Sequence, residues 1–363
     1  MKIYDYIIVG GGISGSATAF ELSHYTKNIL LIDKLEEVAK GASGAAGAFL
    51  SPLLGKPNNF KDLITHSLPY AVEFYKKYTP DCIDNCGTIR IPKDTIDQEK
   101  FQSYIPYMDF PFEEKEDGYF FPIGSVVNSG EICRLLTKDI EKLFNLEITT
   151  ITYQDDIWIL NNSVKTKKLI LATGANLSLL NEHYIDIRAV WGQRIDIETT
   201  TKVETNYHKE CSVSRSIQLE KNLYQVSIGA THNRFEIDRE VSEEDTKELL
   251  EKASDILKLE NINVIKLHGG ARAGSSDYFP IVGTLINSAK TIEKFPYLKN
   301  GTHVDHSRFE RYENLYIING VGGRGFVLAP YLAKQLVNHL IKNEAIDPQI
   351  IPDRLFTRWV KKQ

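Results

Sequence analysis

One stretch near the N-terminus, "YDYIIVGGGISGSATAFELSHYTKNILLIDK" (residues 4–34), limits the folds open to this chain more than any other feature. Ile7, Ile8 and Val9 form a short continuous apolar run, the pattern of a parallel strand buried on both faces. Gly10, Gly12 and Gly15 follow in G-x-G-x-x-G spacing, and the small residues Ser16, Ala17 and Ala19 open a helix that can pack closely on a sheet. A second apolar run, Ile29 to Ile32, ends in Asp33, eighteen residues beyond Gly15. Strand, glycine turn, helix, strand and acid in this order specify an α/β fold of the Rossmann type.

Each part has a physical role in holding a dinucleotide. Gly10 permits the tight turn, Gly12 lets backbone approach a pyrophosphate, and Gly15 lets helix and strand come together. The helix start at Ile13 and Ser14 offers unpaired N–H groups to the phosphates. Asp33, with Lys34 beside it, stands where a carboxylate accepts bonds from a ribose 2′-hydroxyl. The fingerprint alone does not separate FAD from NAD, but three later segments favour FAD. In "KGASGAAGAFLSP" (residues 40–52), the small residues Ala42, Ser43, Gly44, Gly47 and Ala48 would let backbone lie against a flat ring system. "KKLILATGAN" reads as a buried strand ending at Gly174. "LYIINGVGGRGFVLAPYLAKQLVNHLI" reads as strand, glycine loop and helix. Its Gly322, Gly323, Arg324, Gly325 and Phe326 lie at the positive end of that helix, which suits negative charge on a flavin's pyrimidine edge.

Composition excludes several classes. The 363 residues suffice for one large domain or two smaller ones, and 42% apolar with 25% charged residues is ordinary for a globular protein. No apolar run approaches a membrane span, and the N-terminus reads as a buried strand, not a signal peptide. The net charge of −5 does not mark a nucleic-acid binder by itself. Cys82, Cys86, Cys133 and Cys211 are too sparse for a disulfide framework, and Cys82-x3-Cys86 lacks a second ligand pair for zinc. The expectation is structural thiols, no metal and a reduced, cytoplasmic location.

The order of these motifs resembles the D-amino-acid-oxidase-like FAD-dependent oxidoreductases, which include glycine oxidase, sarcosine oxidase and D-amino-acid dehydrogenase. Within that group, "GASGAAGAFLSPLL", "CGTIRI", "GYFFPIGSVVNSGEICRLL", "VSIGATHNRFEIDREVSEED" (residues 226–245), "GGARAGSSDYFPIVG" and "PDRLFTRWVKK" are similar to the oxidoreductase half of the bifunctional tRNA 5-methylaminomethyl-2-thiouridine biosynthesis enzymes. Two departures stand out. The chain begins directly at the first strand, so no methyltransferase half is expected and a separate methyltransferase would act on the product. "VWGQR" carries Trp191 where the resemblance implies arginine, which leaves the roof of the pocket open.

The resemblance implies non-covalent FAD and a tRNA substrate bearing 5-carboxymethylaminomethyl-(2-thio)uridine in the anticodon, an N-substituted glycine with a free carboxylate. Arg272, flanked by Gly270, Ala271, Ala273 and Gly274, is then the expected carboxylate anchor, since its planar fork matches two oxygens. The bland reading pairs Arg272 with a structural acid. Arg324 is the second candidate, facing the carboxylate, the flavin pyrimidine edge or the RNA. Oxidation of a free small amino acid (glycine, sarcosine or a D-amino acid) is the competing function, and an FAD-bearing non-catalytic subunit is a third. Basic residues of the tail, from Arg354 onward, are candidates for an RNA-facing rim.

The expected organisation is an FAD domain from residues 1–62, 122–188 and 265–363. Residues 63–121 and 189–264 would form a mostly antiparallel α+β substrate domain. "SEEDTKELLEKASDIL" reads as a helix capped by Ser242.

Overall fold

The structure, a computed structural model, describes residues 2–234 and 239–363. Residues 235–238, part of the stretch 226–245 that carries the resemblance, lie outside the described residues.

The N-terminal pattern folds as its periodicity dictates. Strand β1 (Ile3–Val9) leads through the glycine turn into helix α1 (Ile13–Ser23) and then strand β2 (Ile29–Ile32). β1 pairs in parallel with β2 on one side and with strand β3 (Val164–Leu171) on the other, Val9 matching Ile32 and Leu171. Successive side chains of a strand point to opposite faces, and here both faces are covered. Ile8, Leu31 and Ile170 enter one apolar core, while Ile7, Leu30 and Leu169 enter another. That is why these strands read as unbroken apolar runs. Among the described residues the sheet has eight strands, and the strand Arg311–Asn319 joins it beside β3.

Helix α2 (Asn59–Tyr78) and helix α3 (Gly325–Lys342) complete the helical layer with α1. Pro330 lies inside α3 and has no N–H to give the carbonyl of Phe326, four residues earlier. Tyr75 of α2, fully buried, donates its hydroxyl to that carbonyl at 2.9 Å. The proline is therefore tolerated because a tertiary contact replaces the missing bond.

The second sheet has ten strands among the described residues and is largely antiparallel. Its spine is a pair of thirteen-residue strands, β4 (Ile187–Thr199) and β5 (Asn263–Ser275), running antiparallel from Ile187 opposite Ser275 onward. Ser242 caps the helix Glu243–Ser254 by accepting from the Asp245 N–H, as its sequence specifies, and Leu249 and Ala253 of that helix pack on Ile195, Val226 and Ile228. One boundary differs from the sequence reading. β5 belongs to this sheet, although residues from 265 onward were expected with the FAD domain. The run Gly269–Gly274 carries no apolar alternation: a Cβ on Gly270 would meet the Ala42 backbone at 2.7 Å, and one on Gly269 the Trp191 ring at 2.4 Å.

Candidate active site

A cavity of about 780 Å³ opens between the two sheets and is lined from both. Every cofactor position expected from sequence lies on its wall except Gly15 and Gly44. Those two are packing glycines: an added Cβ would stand 1.9 Å from the Gly10 carbonyl oxygen or 1.9 Å from that of Ala39, respectively. Gly10 has φ 114°, and its Cβ would meet the Ala172 carbonyl oxygen at 2.2 Å, so the turn into α1 requires glycine.

Asp33 ties the second strand to the turn. Its Oδ2 accepts from the Gly11 N–H at 2.6 Å and its Oδ1 from the Leu35 N–H at 2.8 Å. A carboxylate has further lone pairs, and Asp33 keeps them at the cavity wall. Ser43 accepts from the Ile13 N–H at 2.9 Å, which joins the small-residue loop to the start of α1. That loop has a second duty that sequence did not reveal. A Cβ on Gly270 would stand 2.7 Å from Ala42 Cα, so β5 and the loop meet backbone to backbone.

Gly174 and Gly322, both at positive φ, present bare backbone to the cavity, with no atom within 4 Å of a Cβ at Gly174. A phosphate-facing helix start, an acid at the second strand end and walls of bare backbone fit a dinucleotide carrying a flat ring system. Gly12, Ile13 and Ser14 would hold its phosphates, Asp33 a ribose, and the segments around Gly47, Gly174 and Gly322 its rings.

The second sheet supplies the other wall. Arg272 of β5 sits opposite Val190 of β4, and its guanidinium lies over Gly192, where a Cβ would be 2.3 Å from Nη2. Nη1 and Nη2 each donate to the Thr231 carbonyl at 3.2 Å, and Nη1 reaches the Trp191 carbonyl at 3.4 Å. Among the described residues no carboxylate pairs with Arg272, and burial pushes its pKa down from the ordinary arginine value. Trp191 is buried beside it, its ring where a Gly269 Cβ would be, 2.4 Å away, and its Nε1 has no hydrogen-bond partner.

Sequence reasoning missed a row of polar groups crossing this sheet. Register matches Arg90 with His208, His208 with Ser212, Ser212 with Gly229, Gly229 with Arg194, and Arg194 with His268. Arg194 and His268 share the buried Asp196, at 3.3 and 2.8 Å. Arg90, His208 and Ser212 instead line the cavity. The other sequence candidate, Arg324, donates Nη1 to the Ser51 carbonyl at 3.1 Å. Burial pushes Arg324 to about 10, and burial with the Arg324 charge pushes Arg90 to about 9.

The turn that follows β5 is braced by Asp277. Asp277 accepts from Ser275 Oγ at 2.9 Å and from Arg354, while Tyr278 stands at the cavity rim at φ 69°, 72% exposed. Arg354 is thus turned inward, not toward an RNA-facing rim. Among the described residues no cluster of three or more His, Cys, Asp or Glu could hold a metal ion, and no helix is long and apolar enough to cross a membrane.

A dinucleotide cleft faced by a sheet whose cavity arginines have no carboxylate partner among the described residues fits a flavin-type oxidoreductase. The family model described as DAO, FAD dependent oxidoreductase, matches residues 5–339, and the chain belongs to this family. It is similar to the tRNA 5-methylaminomethyl-2-thiouridine biosynthesis bifunctional protein MnmC of Legionella pneumophila (strain Corby), with 26% identity over 94% of this chain and 55% of that protein. The protein of the same name from Campylobacter jejuni (strain RM1221) is 26% identical over 100% of this chain and 60% of its own length. The chain thus spans little more than half of these curated relatives. Among solved structures, glycine oxidase from Bacillus cereus ATCC 14579 superposes with a TM-score of 0.74 at 17% identity, covering 94% of this chain and 96% of that one. L-proline dehydrogenase from P. horikoshii gives 0.73 at 15%, covering 99% of both.

Proposed function

We propose that the chain oxidises the side-chain amine of 5-carboxymethylaminomethyl-(2-thio)uridine at the wobble position of tRNA, yielding 5-aminomethyl-(2-thio)uridine and glyoxylate. Arg272 carries this reading: a guanidinium in the cavity, oriented by two carbonyls and with no acid partner among the described residues. A carboxylate is the group that such a fork binds best. The modified base offers one on an N-substituted glycine.

Arg272 would fix the carboxylate, and the Thr231 and Trp191 carbonyls would fix Arg272. The α-carbon is then presented to the wall of bare backbone around Gly47 and Gly322. FAD, when bound there without a covalent link, supplies the acceptor for the two electrons removed from the C–N bond. The amine loses two electrons and two protons to become an imine, and water then splits it into primary amine and glyoxylate. Positioning is the protein's main contribution to this chemistry.

Similarity to tRNA-modifying relatives along nearly the whole chain supports the macromolecular substrate. So does the exposed Tyr278 ring at the rim, a surface on which an unpaired base stacks. The primary amine product is itself a nucleophile open to later methylation, in the cytoplasm where tRNA is processed.

Anaerobic mixing of the purified yellow protein with tRNA carrying the modified uridine, and separately with glycine or sarcosine, tests the reading. Flavin bleaching by the tRNA alone, with 5-aminomethyluridine in the digest, is expected. Bleaching by the free amino acids with the tRNA inert would overturn it in favour of a free amino-acid oxidase.

A further inference from the structure

We infer that Arg90, Arg324 and His208 form a second oxyanion subsite in the cavity, distinct from Arg272, which takes a second acidic group (phosphate or carboxylate) on the amine substrate. The inference rests on the amine-oxidation reading for its substrate, but its geometry stands apart from it.

Arg90 and His208 occupy matched positions on the neighbouring strands Thr88–Arg90 and Asn206–His208, so their side chains rise from the same face. Both line the cavity, as does Arg324, which arrives from the opposite wall at the start of α3. Arg90 Nη1 donates to the Pro52 carbonyl at 3.0 Å and Arg324 Nη1 to the adjacent Ser51 carbonyl at 3.1 Å. The two guanidinium groups are therefore anchored side by side on one short segment. Each has five N–H donors, yet Arg90 Nε is buried with no partner, and no carboxylate pairs with either arginine among the described residues.

Two neighbouring half-buried cations without an anion are unfavourable unless something negative joins them. Burial, Arg90 and Arg324 together hold His208 well below the ordinary histidine value, so it adds a neutral hydrogen-bonding ring and no third charge. Its Nδ1 lies 2.7 Å from Ser212 Oγ, which fixes the ring. Arg272 runs past Gly323 but is anchored elsewhere, its guanidinium on the Thr231 carbonyl, whereas Arg90 and Arg324 are anchored on the Pro52 and Ser51 carbonyls. Two separated cationic points suit a substrate with two separated anions. A nucleotide bearing a carboxymethylamino group has a carboxylate and a phosphate, and a dicarboxylic amine has two carboxylates.

The test uses the FAD-loaded protein and two matched pairs of amines. One pair is 5-carboxymethylaminomethyluridine and its 5′-monophosphate; the other is sarcosine and iminodiacetate. In the wild type the second anion is expected to lower the concentration for half-maximal anaerobic bleaching about tenfold or more in the pair that fits. A phosphate effect identifies a nucleotide, and a carboxylate effect a dicarboxylic amine. In Arg90→Met, and in the milder Arg90→Gln, that ratio is expected to fall toward one. A ratio near one in the wild type for both pairs, or one that survives both substitutions, would overturn the subsite. So would loss of bound FAD from the folded variants, since the arginines would then be serving the cofactor. If no amine bleaches the flavin, the amine reading fails, and the subsite is judged by inorganic phosphate alone. Phosphate must then perturb the flavin spectrum of the wild type and not of Arg90→Met, and equal responses would sink it.

Discussion

Arg354 holds Asp277 with a two-pronged grip, Nε to Oδ2 at 3.0 Å and Nη2 to Oδ1 at 3.1 Å, and Arg358 adds a third contact at 3.0 Å. Asp277 lies five residues beyond Arg272, just past the end of β5, so the C-terminal helix Asp353–Val360 clamps the strand that carries the proposed substrate anchor. Arg354 also donates to the Phe279 carbonyl at 2.8 Å, which secures the turn beneath Tyr278. Removing Arg354 leaves the largely buried Asp277 carboxylate with only the exposed Arg358 against it. Arg354→Ala is expected to destabilise the protein by about 3 kcal/mol in urea unfolding. It should also raise the half-saturating substrate concentration. A variant as stable as the wild type would show that Arg358 alone suffices.

The same pair sets a pH dependence. Burial alone would raise the Asp277 carboxyl, but hydrogen bonding from Arg354 and Ser275 and the charges of Arg354 and Arg358 outweigh it and hold the carboxyl below its ordinary value. A carboxylate whose folded pKa is depressed contributes stability that is fully present above its unfolded pKa, about 3.9, and is lost as pH falls through the folded value. The stability gap between wild type and Asp277→Asn should therefore be widest near neutral pH and should close in strongly acidic buffer. A gap that stays constant between these conditions would mean that shape, not charge, holds the loop.

Gly192 gives a sharper test of Arg272. A methyl group there would collide with the guanidinium, 2.3 Å from Nη2 and 2.7 Å from Cζ. The guanidinium is the free end of a flexible side chain, so it moves and the backbone stays. Gly192→Ala should leave thermal stability near that of the wild type while raising KM for a carboxylate-bearing amine about tenfold or more, the loss of a charge-assisted contact. Arg272→Lys should do the same, because an ammonium cannot reproduce the planar fork. An unchanged KM in both would remove Arg272 from substrate binding.

Much of the cofactor side was legible because its signals are local. Strand, turn, helix and acid fall within residues 3–33, and the glycine roles at Gly10 and Gly15 follow from backbone sterics that any sequence carries on its face. The Ser242 cap was legible for the same reason. The substrate wall was not. Arg90 and His208 meet through strand register across 118 residues of chain, and no spacing rule links them. Gly192 looks like an ordinary strand residue until Arg272 is seen lying over it. The pairing of β5 with β4 was not legible, since the glycines and alanines around Arg272 give no alternation to mark a sheet strand. Arg354 read as tail charge since its partner, Asp277, is 77 residues away.

Tyr75 and Pro330 allow a test of the helical layer without touching the cavity. The Phe326 carbonyl lost its helical partner to Pro330 and is satisfied by the Tyr75 hydroxyl at 2.9 Å. Tyr75→Phe keeps the ring and its packing but leaves that buried carbonyl unpaired, which should cost about 1–3 kcal/mol of stability. Phe326 lies on the cavity wall at the start of α3, so the same change should also weaken FAD retention on dilution. The double variant Tyr75→Phe with Pro330→Ala restores an N–H to the helix and should recover most of the lost stability. Recovery would assign the cost to the orphaned carbonyl, whereas additive losses in the double variant would assign it to packing around the Tyr75 ring.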